Sequence, residues 1–424
     1  MTQRVDDAIA AVWRIESPKL IARLSRMTRD VGKAEDLAQD AFVTALSQWP
    51  DEGIPRNPGA WLMTTAKRRA VDQIRRDETL ARKAQELAHE LSVQEPDTDV
   101  AAAYEEIDDD LLRLMFVACH PAVSKEAHVA LTLKLLGGLT TAEIARAFLA
   151  SETTIAQRIV RAKRTLANAR VPFEVPAAGE RRERLASILE TIYLIFNEGY
   201  AATAGDDVLR PELAEDALRL GRMLAALMPD ESEVHGLVAL MELQASRLRA
   251  RVGQSGEPIL LLDQDRTRWN RLLIHRGLTA LARAERLCQP ALVEGQPGQY
   301  TLQAAIAACH ARAATAEETD WRRIAALYDA LVRVAPSPVI QLNRAVAVGM
   351  AYGPQAGLDI VNELRDEPVL QAYHLLPSVR ADLLAKLGRT DEARAEFECA
   401  ASLARNTRDK ALLLARAATV GRTS

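Results

Sequence analysis

Residues 141–163 read TAEIARAFLASETTIAQRIVRAK, two short amphipathic stretches either side of a tight turn. Ile144, Ala145 and Phe148 recur at helical spacing in the first stretch, and Ile155 and Ile159 do so in the second. Ser151, immediately before the second stretch, has the hydroxyl that an N-cap needs. Thr153, Thr154, Gln157, Arg158 and Arg161 then share the outward face, with Lys163 and Arg164 continuing the positive surface. Side chains of these types donate to base edges and phosphates when a helix lies in a major groove. From Ala156 to Arg170 there are five basic residues and no acid. An ordinary solvated basic helix satisfies the same pattern, so the neighbouring sequence has to decide.

The chain as a whole gives an ambiguous charge signal. It has 424 residues, a formal net charge of -4, 48% hydrophobic and 26% charged residues, the balance of a globular protein with two or three cores. Residues 1–170 hold 24 Lys+Arg and 25 Asp+Glu, but ten of those acids lie between Ala84 and Leu112, where there is no Lys or Arg. Without that segment the balance is 24 basic to 15 acidic, so two basic modules flank an acidic tether. The four cysteines, Cys119, Cys288, Cys309 and Cys399, form no CxxC pair, which argues against a zinc ribbon or redox motif. Cys119-His120 and Cys309-His310 lack companion ligands at metal spacing and are expected in the core, with no metal or cofactor. No apolar run approaches the roughly 18 residues that span a bilayer, and the N-terminus lacks an apolar signal core, so a cytoplasmic location without membrane contact is expected.

Apolar residues recur almost everywhere at three- and four-residue spacing, which predicts an all-α fold. Two helices are expected from Pro18 to about Gln48 with a break near RDVGKAED, where Gly32 could end the first and Asp30 or Lys33 could sit in the turn. After Pro50, Pro55 and Pro58, residues 59–83 read as one strongly basic helix in which Trp61 precedes Lys67, Arg68, Arg69, Arg75 and Arg76. An aromatic with following cations suits a single nucleic-acid strand; Trp61 in the core with solvated arginines is the other reading. Residues 86–109 are expected as a flexible linker. Pro172, Pro176 and Gly179 mark a second break, dividing the chain into 1–85, 110–170 and 180–424. Towards the end, Ala347 and Ala381 lie 34 positions apart, and Ala393, Phe397 and Ala400 have the spacing of a packed helical hairpin. Helix pairs at that period predict a tetratricopeptide-like α-solenoid.

Three stretches together carry a resemblance. DVGKAEDLAQDAFVTAL (Asp30 to Leu46), NPGAWLMTTAKRRAVDQIRR (Asn57 to Arg76) and Thr141 to Lys163 resemble, in order, regions 2 and 4 of the bacterial extracytoplasmic-function sigma factors. The resemblance implies a region 2 helical bundle, a region 4 helix-turn-helix, and promoter-specific initiation with core RNA polymerase and no catalytic residues of the chain's own. It implies contact with core polymerase through the β′ clamp helices and the β flap, with Asp36, Gln39 and Asp40 on the clamp. It assigns Trp61, Lys67, Arg68, Arg69, Asp72, Arg75 and Arg76 to the melted -10 strand. It assigns Thr153, Thr154, Gln157, Arg158, Arg161 and Lys163 to the -35 element. Two departures stand out: Arg68, where many relatives carry Asn, and Leu149, where the turn usually has glycine.

Ala186 to Thr203 (ASILETIYLIFNEGYAAT) and Leu260 to Ile274 (LLLDQDRTRWNRLLI) resemble segments of a subgroup whose region 4 is followed by a tetratricopeptide-like extension. In that subgroup the extension is thought to regulate the factor in place of a membrane-bound anti-sigma protein, which implies a regulatory protein or peptide as a partner. A stand-alone helix-turn-helix regulator with a ligand- or peptide-sensing repeat domain is the alternative, and it has no need of the Asp30 to Leu46 stretch. Asn197, Glu198 and Tyr200, or Asp263, Asp265 and Arg266, could be drawn as a polar site, but Asp capping at Thr267 and a loop buried between helices explain these groups better.

Overall fold

The computed structural model describes residues 2–76, 100–148, 150–200, 209–253, 256–288, 296–404 and 406–420. Among them there are helices and short turns and no strand, so the all-α expectation holds. The chain forms two compact units, Met1–Leu194 and Ile195–Ser424.

In the first unit, α1 (Thr2–Thr28) and α2 (Val31–Glu52) are separated by a single tight reversal. Arg29 takes φ +53°, and Asp30 caps α2 by accepting from the amides of Gly32 and Lys33. The expected break is therefore present, but Asp30 makes it, and Gly32 lies inside the first turn of α2. The Trp13 and Phe42 rings meet at a tilt, centroids 4.4 Å apart, and tie the pair together. α3 (Pro58–Arg76) packs Leu62, Ala66 and Ala70 inward, and Trp61 sets its edge against Trp49, which is fully buried. Residues 77–83, expected in the same helix, lie outside the described residues.

α4 (Val100–Ala118) begins inside the segment expected as linker. Its apolar positions Tyr104, Ile107, Leu111, Leu114 and Met115 keep helical spacing, which the run of acids masks in composition. α5 (Lys125–Leu135), α6 (Thr141–Ala147) and α7 (Glu152–Asn168) complete a small bundle. The first part of α8 (Ala178–Tyr200) closes it: Arg184 donates to the Phe116 carbonyl at 3.1 Å, and Thr191 meets buried Cys119.

The second unit is built on α10 (Ser232–Ala245), buried along nearly its whole length. α9 (Pro211–Leu227), α11 (Arg271–Cys288) and α12 (Gln299–Arg312) surround it. Close approach depends on two glycines. A Cβ at Gly236 would lie 2.7 Å from the Thr301 nitrogen, and one at Gly277 would lie 2.7 Å from Leu243. Six further helices follow in pairs: α13 (Trp321–Val334), α14 (Pro338–Tyr352), α15 (Pro354–Glu363), α16 (Leu375–Lys386), α17 (Thr390–Leu403) and α18 (Thr407–Thr419). Each packs on its sequence neighbours, and α14 also reaches α16, the pattern of a helical-repeat stack. Ala347, Ala381, Ala393, Phe397 and Ala400 are all buried at these contacts.

Candidate nucleic-acid interface

α6 and α7 are fixed by their caps. Thr140 and Glu143 exchange bonds in a capping box at the start of α6, and Ser151 accepts from the Thr154 amide at the start of α7. Ile155, Ile159, Ala162 and Leu166 turn inward, at spacings of four, three and four. Thr153, Thr154, Gln157 and Arg161 are exposed, and Arg158 is half-buried. The Thr153 and Thr154 hydroxyls lie 2.9 and 2.7 Å from the Ser151 hydroxyl, so the cap orients both. Thr154, Gln157, Arg158 and Arg161 line one concavity of about 390 Å³ with Ser124 and Ala127. Four of the side chains assigned to -35 recognition thus face one space. Phe148 is half-buried rather than central, and Leu149 lies outside the described residues.

α3 is different. Arg68 is exposed, but Arg69 reaches Asp40 at 3.1 Å and donates to the Thr44 hydroxyl at 2.8 Å. Trp61 is half-buried on Trp49. Lys67 is held below the ordinary lysine range, first by burial and then by the guanidiniums of Arg23 and Arg26. The side chains of Asp72, Arg75 and Arg76 lie outside the described residues. On α2, Asp36 is exposed, Asp40 carries Arg69, and the Gln39 amide donates to Glu35.

Glu35 and Asp110 hold these pieces together, and sequence reasoning assigned neither a role there. Glu35 is 2% exposed and pairs with Lys163 on α7 and, at 3.6 Å, with Lys134 on α5. Lys163, assigned from the sequence to the -35 face, is thereby engaged with α2. Asp110 on α4 is buried between Arg23 and Arg26 of α1, each at 3.5 Å, and Arg113 at 2.7 Å. Burial raises the Asp110 carboxyl above its usual value, and the three guanidiniums oppose that shift. Arg14 and Glu143, 3.2 Å apart, add an exposed pair between α1 and α6. The available signal for Glu35 was its register: it falls on the stripe of Val31, Ala34, Ala38 and Ala41, where an acid has to find a partner.

Residues 13–79 match Sigma-70 region 2 and residues 113–166 match Sigma-70, region 4. Residues 184–285 match a family of unknown function (DUF6596). An ECF RNA polymerase sigma factor, SigK of Mycobacterium sp. (strain KMS), is 30% identical over 163 residues, which cover 38% of this chain and 81% of the relative. The chain belongs to the extracytoplasmic-function sigma factors. A probable ECF sigma factor, SigI of Mycobacterium tuberculosis (strain ATCC 25618 / H37Rv), is 27% identical over 202 residues, 46% of this chain and 69% of its own. An uncharacterized protein of Rhizobium meliloti (strain 1021) is 42% identical over 397 residues, 93% of this chain and 92% of its own, so this likeness runs through the second unit.

As a sigma factor the protein directs transcription initiation, with core RNA polymerase and promoter DNA as partners, in a family that is not enzymatic. Among the described residues no helix is long and apolar enough to cross a membrane, and no cluster of three or more His, Cys, Asp or Glu could hold a metal ion. Cys119, Cys309 and His310 are buried. The two polar groupings of the second unit serve as joints. Glu198 pairs with Arg210, and Tyr200 accepts from Arg247 at 2.6 Å. Asp265 caps Thr267, while Arg266 donates to the carbonyls of His310 and Ala313.

Proposed function

We propose that region 4 reads duplex -35 DNA with Thr153, Thr154, Gln157, Arg158 and Arg161. Region 2 takes the unwound -10 strand on Trp61, Lys67, Arg68, Arg69, Asp72, Arg75 and Arg76. Asp36, Gln39 and Asp40 meet the β′ clamp helices, and region 4 meets the β flap. The domain limits are those read from the sequence: 1–85, 86–109, 110–170 and 180–424. The chain supplies no catalytic group, acts in the bacterial cytoplasm, and leaves phosphodiester chemistry to the polymerase. The observation that carries this reading is that Thr154, Gln157, Arg158 and Arg161 line one concavity beside a capped helix start.

The ionic joints add a step. The two promoter elements are about 25 base pairs apart, or about 85 Å of duplex. A compact unit of 194 residues has a diameter of only roughly 40 Å. Regions 2 and 4 therefore separate before both elements are engaged, and the Glu35 contacts with Lys134 and Lys163 break as they do. Lys163 then becomes available to a phosphate. The second unit regulates this chain's activity and takes a regulatory protein or peptide.

Reconstituted transcription with full-length protein and core polymerase tests the reading. Promoter-specific initiation is expected, and it should fall when Asp36 and Asp40 are both changed to arginine while region 2 stays folded. Unchanged core binding by that variant would remove the clamp assignment. Failure to initiate at any promoter would remove the division of roles between the two regions.

A further inference from the structure

The exposed side of α11 carries His275, Arg276, Thr279, Arg283 and Arg286, positions that return to one helical face. Facing them is Arg222 of α9, and between the walls lie His235, Val238 and Glu242 of α10. The concavity they enclose measures about 670 Å³. A second, of about 710 Å³, shares Arg222 and Arg276 and continues past Leu218, Leu248, Val252 and Leu273 to Arg249. The two adjoin at Arg222 and Arg276, and read together as one groove they follow α11 from its start to Arg286, about 23 Å.

Its charge is one-sided. Arg222, Arg249, Arg276, Arg283 and Arg286 line it against Glu215 and Glu242 only, a surplus of three positive charges (5 - 2). Glu242 is 1% exposed and already holds Arg222 at 2.7 Å. No carboxylate lies within 4.0 Å of Arg276, Arg283 or Arg286 among the described residues. Two of the guanidiniums are also set in place. Glu242 fixes Arg222, and the Pro229 carbonyl accepts from Arg283 at 2.9 Å while also meeting the His235 ring at 2.8 Å. Burial holds His235 below the ordinary histidine range, so it adds no charge at neutral pH. Arg222 is spent on Glu242, so Arg276, Arg283 and Arg286 are the guanidiniums that can meet carboxylates two oxygens at a time.

The geometry points to an acidic amphipathic segment of a partner protein as the occupant of this groove. This rests on the reading that the second unit takes a regulatory protein or peptide, and it names the place and the chemistry. Aliphatic side chains, Val238, Ala280, Leu218 and Leu273, also line it, which suits leucine- or valine-sized side chains between carboxylates. Nucleic acid fits less well, because neither part of the groove has a Phe, Tyr or Trp to serve as a stacking platform for successive bases.

A phage library displaying random peptides of about 16 residues, enough to match the groove as a helix, is selected on the immobilised full-length chain. The recovered peptides are then measured by fluorescence anisotropy. Enrichment of Asp and Glu interleaved with aliphatic residues at helical spacing is expected. Arg276→Glu with Arg286→Glu should weaken binding by about thirtyfold or more, and raised salt should weaken the wild-type complex. Both side chains are exposed, so an unchanged melting temperature is expected; Arg276→Gln with Arg286→Gln gives a milder loss should the reversal perturb folding. Recovery of no peptides, or of neutral or basic ones, or equal binding by both variants, overturns the proposal. So does competition at the same arginines by a single-stranded DNA 20-mer, or self-association that the double variant abolishes. The assay needs no polymerase, so its failure is read separately from a failure of promoter-specific initiation.

Discussion

The two basic helices assigned to DNA, α3 and α7, differ in what their polar side chains already touch. On α7 the buried set, Ile155, Ile159, Ala162 and Leu166, is cleanly separated from Thr153, Thr154, Gln157 and Arg161, which face outward. On α3 two of the cations are entangled with their own unit, Arg69 with Asp40 and Thr44 and Lys67 beside Arg23 and Arg26, while Arg68 is exposed. Basic composition is common to both helices, so composition alone does not tell a ready surface from an occupied one. A duplex reader has to present a preformed face to a rigid groove. The capture of a melted strand occurs after polymerase has bound, when pairs such as Arg69 with Asp40 can be exchanged for phosphate.

The sharpest test of this contrast is Lys163, where a cation of α7 is itself engaged with the rest of its unit. Glu35→Ala leaves Lys134 and Lys163 facing one another in a largely enclosed site, with each side chain only 17% exposed. Removing one partner of a buried pair costs about 3–5 kcal/mol. Chemical denaturation of the chain should show that loss, and hydrogen exchange should locate it in α2 and α7. A change below about 1 kcal/mol would mean that the pair is solvated and that region 4 is held by other contacts. Replacing Glu35, Lys134 and Lys163 together with apolar residues should recover most of the stability, since no charge is then left unpaired.

Next in size is Arg158→Ala, expected to cost about 1–3 kcal/mol at the -35 element, measured by binding to duplexes that differ at single base pairs. A loss confined to one position marks a base-edge contact. A uniform loss with a reduced salt slope would make Arg158 a phosphate contact and bring α7 closer in kind to α3. Ser151→Ala should cost about 1 kcal/mol of stability by removing the acceptor for the Thr154 amide. It should also reduce -35 affinity, because the Thr153 and Thr154 hydroxyls lose the group that orients them. Lost stability with unchanged affinity would show that the threonine hydroxyls reorient on DNA and that the cap is only a helix start.

How much of this could be read from the chain follows the range of the interactions. The α6–α7 turn was legible because its cap, apolar spacing and outward face all lie within two dozen residues. The buried repeat positions Ala393, Phe397 and Ala400 were legible for the same reason. Glu35 and Asp110 were not, since their partners lie on other helices and no local period announces them. The start of α4 at Val100 was hidden by its acids, which gave the segment a linker's composition while Tyr104, Ile107 and Leu111 kept a helix's spacing. The arginine groove was invisible because Arg222 and Arg276 come from different helices and are brought together only by packing on α10.

The smallest expected effect bears most directly on α3. Asp40 and Arg69 are 52% and 42% exposed, so their pair contributes only about 0.2–1 kcal/mol, and Asp40→Ala should barely change the melting temperature. Its consequences for binding should nevertheless run in opposite directions. Removing the acid takes a contact from the face assigned to the clamp and weakens association with core polymerase. The same change releases Arg69, leaves it only the Thr44 hydroxyl among the described residues, and should strengthen capture of a single-stranded -10 oligonucleotide. Asp40→Asn, which keeps the shape and loses the charge, separates the two contributions: if it reproduces both effects, charge drives both. If capture does not improve while core binding falls, Arg69 was not withheld by Asp40, and the difference drawn between α3 and α7 fails at that residue.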